Sequence, residues 1–521
     1  MKKLIIIPII LFQIITYAQF SGGSGTVLDP YQVETAEDLD NIRNYLESSF
    51  IQTANIDLGV APWNEGEGWN PIGDYNPFDS TKSFRGNYDG NDFEIKNMFI
   101  NRPEESDLGL FGSSLDCIFT NINLNNINIT GQGSIGGIVA ISYNDIVTDC
   151  TVEGIIEGFG GLGLLMYFFE GYYIENCHVK GEIISTGGTM IGGMGGIYQA
   201  QSIKNCTSEV TITSNGRFVA GLMAETIDIE LIKNCSASVN ISSNDDFIGG
   251  LFSINVQVNK NTVVENCFTI GSIQSTGNNV GGFIAQIGLL DQSPEFVLIK
   301  NCYSSVNVEG NDLVAGFVSE YTGGIPDSTE IKNCYSYGAV NGNSNVGGFI
   351  GYIDSISIPF VYNSYWNTET STQAYSAAGE GRVTSEMIFP YTDNTYMDWD
   401  FINIWQDDEK IINNGYPIFN WTTGIMNNEQ LTINNNELEQ NYPNPFNNET
   451  NIDYVLDNIG NVEINIYNSN GQFIQNLVNG VVNKGIHSAT FKAINLNSGV
   501  YYYNLKIDGF LINNKKMLYL K

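Results

Sequence analysis

Eight cysteines, at positions 117, 150, 177, 206, 235, 267, 302 and 334, stand 27 to 35 residues apart, and Ser364 continues the series. From Cys177 onward each follows an asparagine: Asn176, Asn205, Asn234, Asn266, Asn301 and Asn333, then Asn363 before the serine. Ile or Val stands three residues ahead, as at Val147, Ile174, Ile203, Ile232, Val264, Ile299 and Ile331. A second mark, Gly-Gly or Ala-Gly, ends at Gly137, Gly161, Gly193, Gly221, Gly250, Gly282, Gly316 and Gly348. A period of about 30 residues leaves few options. Short apolar runs such as Val210–Ile212 and Val239–Ile241 bury a face only by stacking on the next copy, which is the logic of a solenoid.

The two marks divide each repeat unequally. From Cys206 onward the Cys-to-Gly arc holds 14 or 15 residues, whereas the Gly-to-Cys arc runs from 13 to 20. Strands in register with neighbours resist length change, and outward loops absorb it. The constant arc is therefore expected to be sheet. The variable arc is expected to carry protruding loops, with insertions at Leu289 to Phe296 and Thr322 to Thr329. Glycine pairs suit a tight bend or a close backbone approach. The expected fold class is all-β, a parallel β-helix of at least eight rungs followed by a small C-terminal Ig-like β-sandwich.

Charge narrows the function. Lys+Arg total 22 and Asp+Glu 57, a net of −35. That field repels phosphate backbones and anionic lipid, so no nucleic-acid partner is expected. Two histidines leave little for imidazole metal sites or acid–base catalysis. Eight cysteines in an exported chain suggest disulfides, but at one position of successive rungs they lie near the strand spacing of about 4.8 Å, too far for a bond. They read as a column of buried thiols ending at Ser364, and the asparagines as stacked amides.

The two ends differ from the middle. Residues 1–18 are expected to be a signal peptide, with Lys2 and Lys3, an apolar stretch from Leu4 to Ile15, and Thr16 and Ala18 before the cleavage point. No further apolar run has spanning length, so no transmembrane segment is expected. Residues 437–521 hold six basic and seven acidic residues, against 14 and 50 over 19–436. Alternation in Ile452–Tyr454–Leu456, Val462–Ile464–Ile466 and Tyr501–Tyr503–Leu505–Ile507, with turns at Asn470-Gly471 and Asp508-Gly509, predicts hairpins.

This C-terminal segment resembles the type A C-terminal sorting domain of the Bacteroidetes type IX secretion system. The matching residues are Asn441, Tyr442, Pro443, Asn444, Pro445 and Phe446, then Ile466-Tyr467-Asn468, Gly499, Tyr501, and Lys515, Lys516 and Lys521 at the end. The resemblance implies a sorting signal read by the type IX machinery after passage through the periplasm. It also implies removal of the domain, and release from the cell or attachment to its outer surface. The middle resembles the GLUG repeat, best in Val280 to Ala285 with Ile299 to Ser304, and in Val346 to Gly351. That resemblance implies a secreted or surface β-solenoid and fixes neither ligand nor reaction. The expected layout is 1–18 signal peptide, 19–115 N-terminal cap and first rungs, 116–375 repeats, 376–425 C-terminal cap, 426–436 linker and 437–521 sorting domain.

Two aromatic groups are candidate binding residues. Tyr167, Phe168, Phe169, Tyr172 and Tyr173 crowd a segment of the variable arc where other repeats are polar. Phe268, Tyr303 and Tyr335 each follow a cysteine, and Tyr365 follows the serine, which predicts a column of rings. Such a column either stabilises the sheet or offers a platform for sugars. Packing is the competing reading for both groups, and for the Trp63/Trp69 loop.

Catalytic residues are not identified. Glu225 and Glu320 share an offset after their glycines but lie three rungs, about 14 Å, apart, beyond the ~5–9.5 Å of paired glycosidase carboxylates. No metal or cofactor is expected, with calcium left open for the acidic loops. Two function classes stand: a monomeric interaction protein, adhesin-like or binding a surface glycan or host matrix ligand, and a polysaccharide-active lyase or hydrolase on the variable arc.

Overall fold

The computed structural model describes residues 20–521 except 258–259, 290–295, 323–328, 355–358, 410, 422–436, 439, 457–459, 469–471, 484, 495 and 508–509. The expected signal peptide, the linker 426–436 and the turns at Asn470-Gly471 and Asp508-Gly509 lie outside the described residues. The chain forms two compact units that divide between Trp405 and Gln406.

The first unit is a three-sided parallel β-solenoid. One turn runs from Ser202–Lys204 in a first sheet, through Asn205 and Cys206, into Thr207–Ser214 and Arg217–Ala220 in a second. It then crosses Gly221 into Met223–Ile227 of a third sheet. The next turn stacks in register, with Ile203 beside Ile232, Ile212 beside Ile241 and Thr226 beside Asn255. Among the described residues the first sheet has twelve strands, Tyr31–Val33 to Phe360–Tyr362, and the third has nine, Phe111–Leu115 to Ile350–Ile353. The inward Ile and Val of the cysteine motif are buried in one continuous core.

The variable arc holds the whole third sheet and the first-sheet strand that follows, in addition to the segment expected to carry loops. Length varies between those two elements: Ile227 ends a strand and Leu231 opens the next, against Leu289 and Val297, and the expected insertions after Leu289 and Thr322 lie outside the described residues.

Three ladders hold the corners. Every asparagine of the motif has a left-handed backbone, φ 48 to 57° from Asn176 to Asn363, which Asn tolerates better than most residues. Their amides chain rung to rung: Asn234 Nδ2 donates to Asn205 Oδ1 at 3.0 Å, Asn205 to Asn176 at 3.0 Å, and Asn176 to Asp149 Oδ1 at 2.8 Å. The eight cysteines are buried and unbridged. Cys206 Sγ donates to the Lys204 carbonyl at 3.1 Å, and Ser364 Oγ accepts from the Cys334 amide at 3.2 Å. Burial raises the Cys117 and Cys302 thiol pKa values, keeping both groups neutral.

The glycine ladder works by close approach, not by unusual backbone angle. A β-carbon on Gly250 would lie 1.9 Å from the Gly282 carbonyl oxygen, and one on Gly282 would lie 2.3 Å from that of Gly316. One rung departs from the expected marking. Leu162 pairs with Ile191, so Gly163 and Leu164 fill the places of Gly192 and Gly193, while Gly161 lies beneath the Tyr167 ring.

The N-terminal end is closed by the helix Ala36–Asn41, with a Thr35/Asp38 capping box, and by the rings of Phe20, Tyr31, Tyr45 and Phe50. Trp69 is buried, as the packing reading of the Trp63/Trp69 loop expects, its Nε1 donating to the Leu110 carbonyl at 3.1 Å.

The second unit contains two antiparallel sheets. One has Glu437–Leu438, Glu449–Leu456 and Gly485–Lys492; the other has Phe473–Val482, Gly460–Asn468, Gly499–Ile507 and Phe510–Tyr519 in spatial order. Ile452, Val462, Ile464, Phe491, Tyr503 and Leu505 share their core.

Gly250→Ala places a carbon against backbone that cannot yield and should lower unfolding stability by about 3 kcal/mol. Gly288→Ala, whose nearest neighbour would be 4.0 Å away, should change urea unfolding by no more than about 0.5 kcal/mol. Buried Asp145 accepts from Ser114 Oγ at 2.5 Å, Ser142 Oγ at 2.6 Å and the Cys117 amide at 2.7 Å. Burial nevertheless raises its pKa to about 6. A raised carboxyl stabilises the fold below its unfolded value, and that contribution is lost as pH rises through about 6. Asp145→Asn should therefore remove on the order of 3 kcal/mol of the stability change between acid and neutral pH, read from urea midpoints against pH.

Candidate functional site

Strand geometry sorts the candidate aromatics by the face each occupies. In Met166–Glu170, a strand of the third sheet, Met166 and Phe169 point inward and are buried. Phe169 is therefore core, packed at 6.0 Å from Tyr198, and not part of a surface. Tyr167 occupies a column otherwise filled by small residues, Ala140, Gly196, Ala224, Ser253 and Ala285. It fits because Gly161 and Gly196 leave room: a β-carbon on either would meet the Tyr167 ring, at 1.9 and 2.4 Å. Phe168 points outward and is half-buried. Tyr172 and Tyr173 follow at the corner and are 43% and 38% exposed.

Phe268, Tyr303 and Tyr335 form the expected column on the outer face of the second sheet. Their rings stack at 5.0 and 4.9 Å, but the column is not open. Trp405 packs against Tyr303 and Tyr335, Trp399 against Tyr335, and Tyr396 against Tyr365. All four rings of the column are buried, so they are packing residues and not a sugar platform.

The open aromatic surface includes residues outside the expected group. Tyr143 precedes Phe168 by one rung, with ring centroids 5.3 Å apart, and Tyr75 stacks on Tyr143 at 6.2 Å and 20°. Tyr75 belongs to the segment 74–82, closed by the Asp74 amide donating to the Lys82 carbonyl at 2.9 Å. Burial and the neighbouring Tyr75 hydroxyl push the Tyr143 phenol above its ordinary range. Neither residue lies in a repeat-marked position, so sequence spacing gave no signal for them. The result is a row Tyr75–Tyr143–Phe168 running along the third sheet.

Further along that face, Glu225, Ile254, Gln286 and Glu320 occupy one outward column, which sets the two carboxylates three rung steps apart. Glu320 accepts from Asn279 Nδ2 at 2.5 Å and Gln286 Nε2 at 2.8 Å. Burial raises both glutamate pKa values. On the first sheet, Lys204, Lys233, Glu265, Lys300 and Lys332 form an ion ladder, with Glu265 2.7 Å from both Lys233 and Lys300. This ladder also went unread in the sequence. His178, which follows Cys177, is half-buried with Nδ1 2.7 Å from Thr207 Oγ1, and burial lowers its pKa. Among the described residues no three His, Cys, Asp or Glu side chains gather as a metal site.

In the second unit the sorting motif splits into anchors and displayed residues. Asn441 is buried: its amide donates to Tyr503 Oη at 2.7 Å, and its Nδ2 donates to Thr450 Oγ1 at 2.9 Å. Phe446 packs on Tyr519 and Phe491, and its amide donates to the Leu518 carbonyl at 2.9 Å. Tyr442, 81% exposed, and Pro443, Asn444 and Pro445 face solvent, although Asn444 Oδ1 accepts from the Leu518 amide at 2.8 Å. Tyr501 is buried, Lys515 is half-buried, and Lys516 and Lys521 are exposed.

Comparison with known proteins agrees with this geometry at the C-terminal end. Residues 440–518 match the family described as Secretion system C-terminal sorting domain. The C-terminal unit is thus a sorting domain, which indicates export by type IX secretion to the cell surface or beyond it, and it follows a β-solenoid. Among the described residues no helix is long and apolar enough to cross a membrane. Two curated proteins share segments: a protein named as a Gly-rich membrane protein from Evansella cellulosilytica, 36% identical over 139 residues, and Halomucin from Haloquadratum walsbyi, 33% over 152. The matches cover 26% and 28% of this chain but only 16% and 2% of those proteins. An IgA1 protease structure aligns with 58% of this chain and 21% of its own, at 17% identity and TM-score 0.35.

Truncating Phe446 should unfold the sorting unit by about 3–5 kcal/mol and abolish surface delivery. Tyr442→Ala should leave thermal unfolding of that unit unchanged, and any export defect it causes then reports recognition by the machinery.

Proposed function

We propose that the solenoid is a surface interaction protein of the GLUG-repeat type, from a Bacteroidetes source, that binds glycans through the aromatic row Tyr75–Tyr143–Phe168. Tyr172 and Tyr173 extend the same surface. The observation that carries this reading is the row itself. Three rings lie in sequence on an outer face, two of them in successive rungs, while the column on the second sheet is sealed. Ring faces stack against the C–H face of a sugar through dispersion and apolar burial, without needing charge. A −35 protein offers little to anionic partners.

An enzyme reading has less support. Glu225 and Glu320 lie about 14 Å apart with Ile254 and Gln286 between them, a span too long for the paired carboxylates of a glycosidase.

A glycan array and a reducing-sugar assay on the purified full chain separate the two. Binding without turnover is expected, with Phe168→Ala and Tyr143→Ala each weakening it by about five- to tenfold. Turnover abolished by a single Glu→Gln change would overturn the reading.

A further inference from the structure

We infer that the outer face of the third sheet is a track for one neutral polysaccharide chain lying along the solenoid axis. The inference rests on the glycan-binding reading above and extends it to the far end of the same face.

Phe168, Ile197, Glu225, Ile254, Gln286, Glu320 and Tyr352 are partners in register, one per rung. Six rung steps at about 4.8 Å separate Phe168 from Tyr352 by roughly 29 Å. At that far end Asn345, Ile353, Tyr375 and Ala377 join Tyr352 in an open cleft. Tyr352 and Tyr375 are 39% and 67% exposed, so aromatic rings stand at both ends of one straight column.

The middle of the column carries groups suited to hydroxyls. Glu320 is held by Asn279 and Gln286, and Gln286 also donates to Thr322 Oγ1 at 3.2 Å. Glu225 is half-buried and makes no side-chain hydrogen bond or ion pair among the described residues. A carboxylate so placed gains from a hydroxyl donor and loses when brought near another anion. Ile197 and Ile254, one rung to either side of Glu225, suit the apolar face of a sugar ring. An anionic polymer laid along it would meet the chain's net charge of −35; a neutral one would not.

The test uses the full chain in isothermal titration against neutral glucan, mannan and xylan, oligomers of whichever binds, and polygalacturonate as the anionic control. The track predicts affinity that rises with oligomer length until both ends are occupied. It also predicts about five- to tenfold loss of polymer binding in the Tyr352→Ala/Tyr375→Ala variant, with the shortest binding oligomers unaffected. Glu225→Gln, which keeps shape and removes charge, should alter binding of long oligomers only; this second variant serves if the tyrosine pair fails to fold by circular dichroism. Polymer binding that ignores both variants but needs Phe168 overturns the track and leaves the aromatic-row reading standing. Preference for polygalacturonate overturns the track as well. No binding to any polysaccharide overturns both.

Discussion

The structure depends on backbone meeting backbone at the corner between the second and third sheets. There each turn's carbonyl occupies the space where the neighbouring glycine would carry a β-carbon, as between Gly250 and Gly282. That contact brings successive turns to the separation at which parallel strands pair, about 4.8 Å. All three sheets inherit the spacing. Leucine stands in the glycine column at Leu110 and Leu164, each directly after a glycine, Gly109 and Gly163.

Much of this was legible in the sequence because it repeats. Cysteine, asparagine and glycine columns are set by one local requirement applied at every turn: a small buried group, a left-handed corner, an absent side chain. The burial of Phe268, Tyr303 and Tyr335 was not legible. The residues that cover them, Tyr396, Trp399 and Trp405, lie far along the chain, and no periodicity links them to the rings. Phe169 was misplaced for a different reason. Its run of aromatics hides the inward and outward alternation that would assign each ring to a face. Tyr75 lies in a segment without a repeat, where nothing in the spacing points to Tyr143. The third sheet itself was hidden because varying repeat length points to loops on that arc and is silent on the strands beside them.

The surface chemistry divides by face. The second sheet spends its aromatics on internal cover, the first sheet threads lysines and glutamates into an ion ladder, and the third displays rings and amides. Exposed ion pairs contribute little to stability individually, but Glu265, shared by Lys233 and Lys300, has its pKa held down by both. The few cations of a strongly acidic chain are thus concentrated where they shield one another's partners. In the sorting unit a similar division appears within six residues: Asn441 and Phe446 fasten the motif, and the residues between them are presented outward.

The thiol column has a kinetic consequence. A secreted chain meets oxidising surroundings, where loose cysteines couple to whatever lies nearby. Here every thiol is sequestered once its own rung and the following one have wound, and none has a partner at bonding distance in the finished wall. Maturation is therefore a race between coiling and oxidation. Anything that stalls coiling partway would leave the unwound cysteines, and those alone, open to cross-linking.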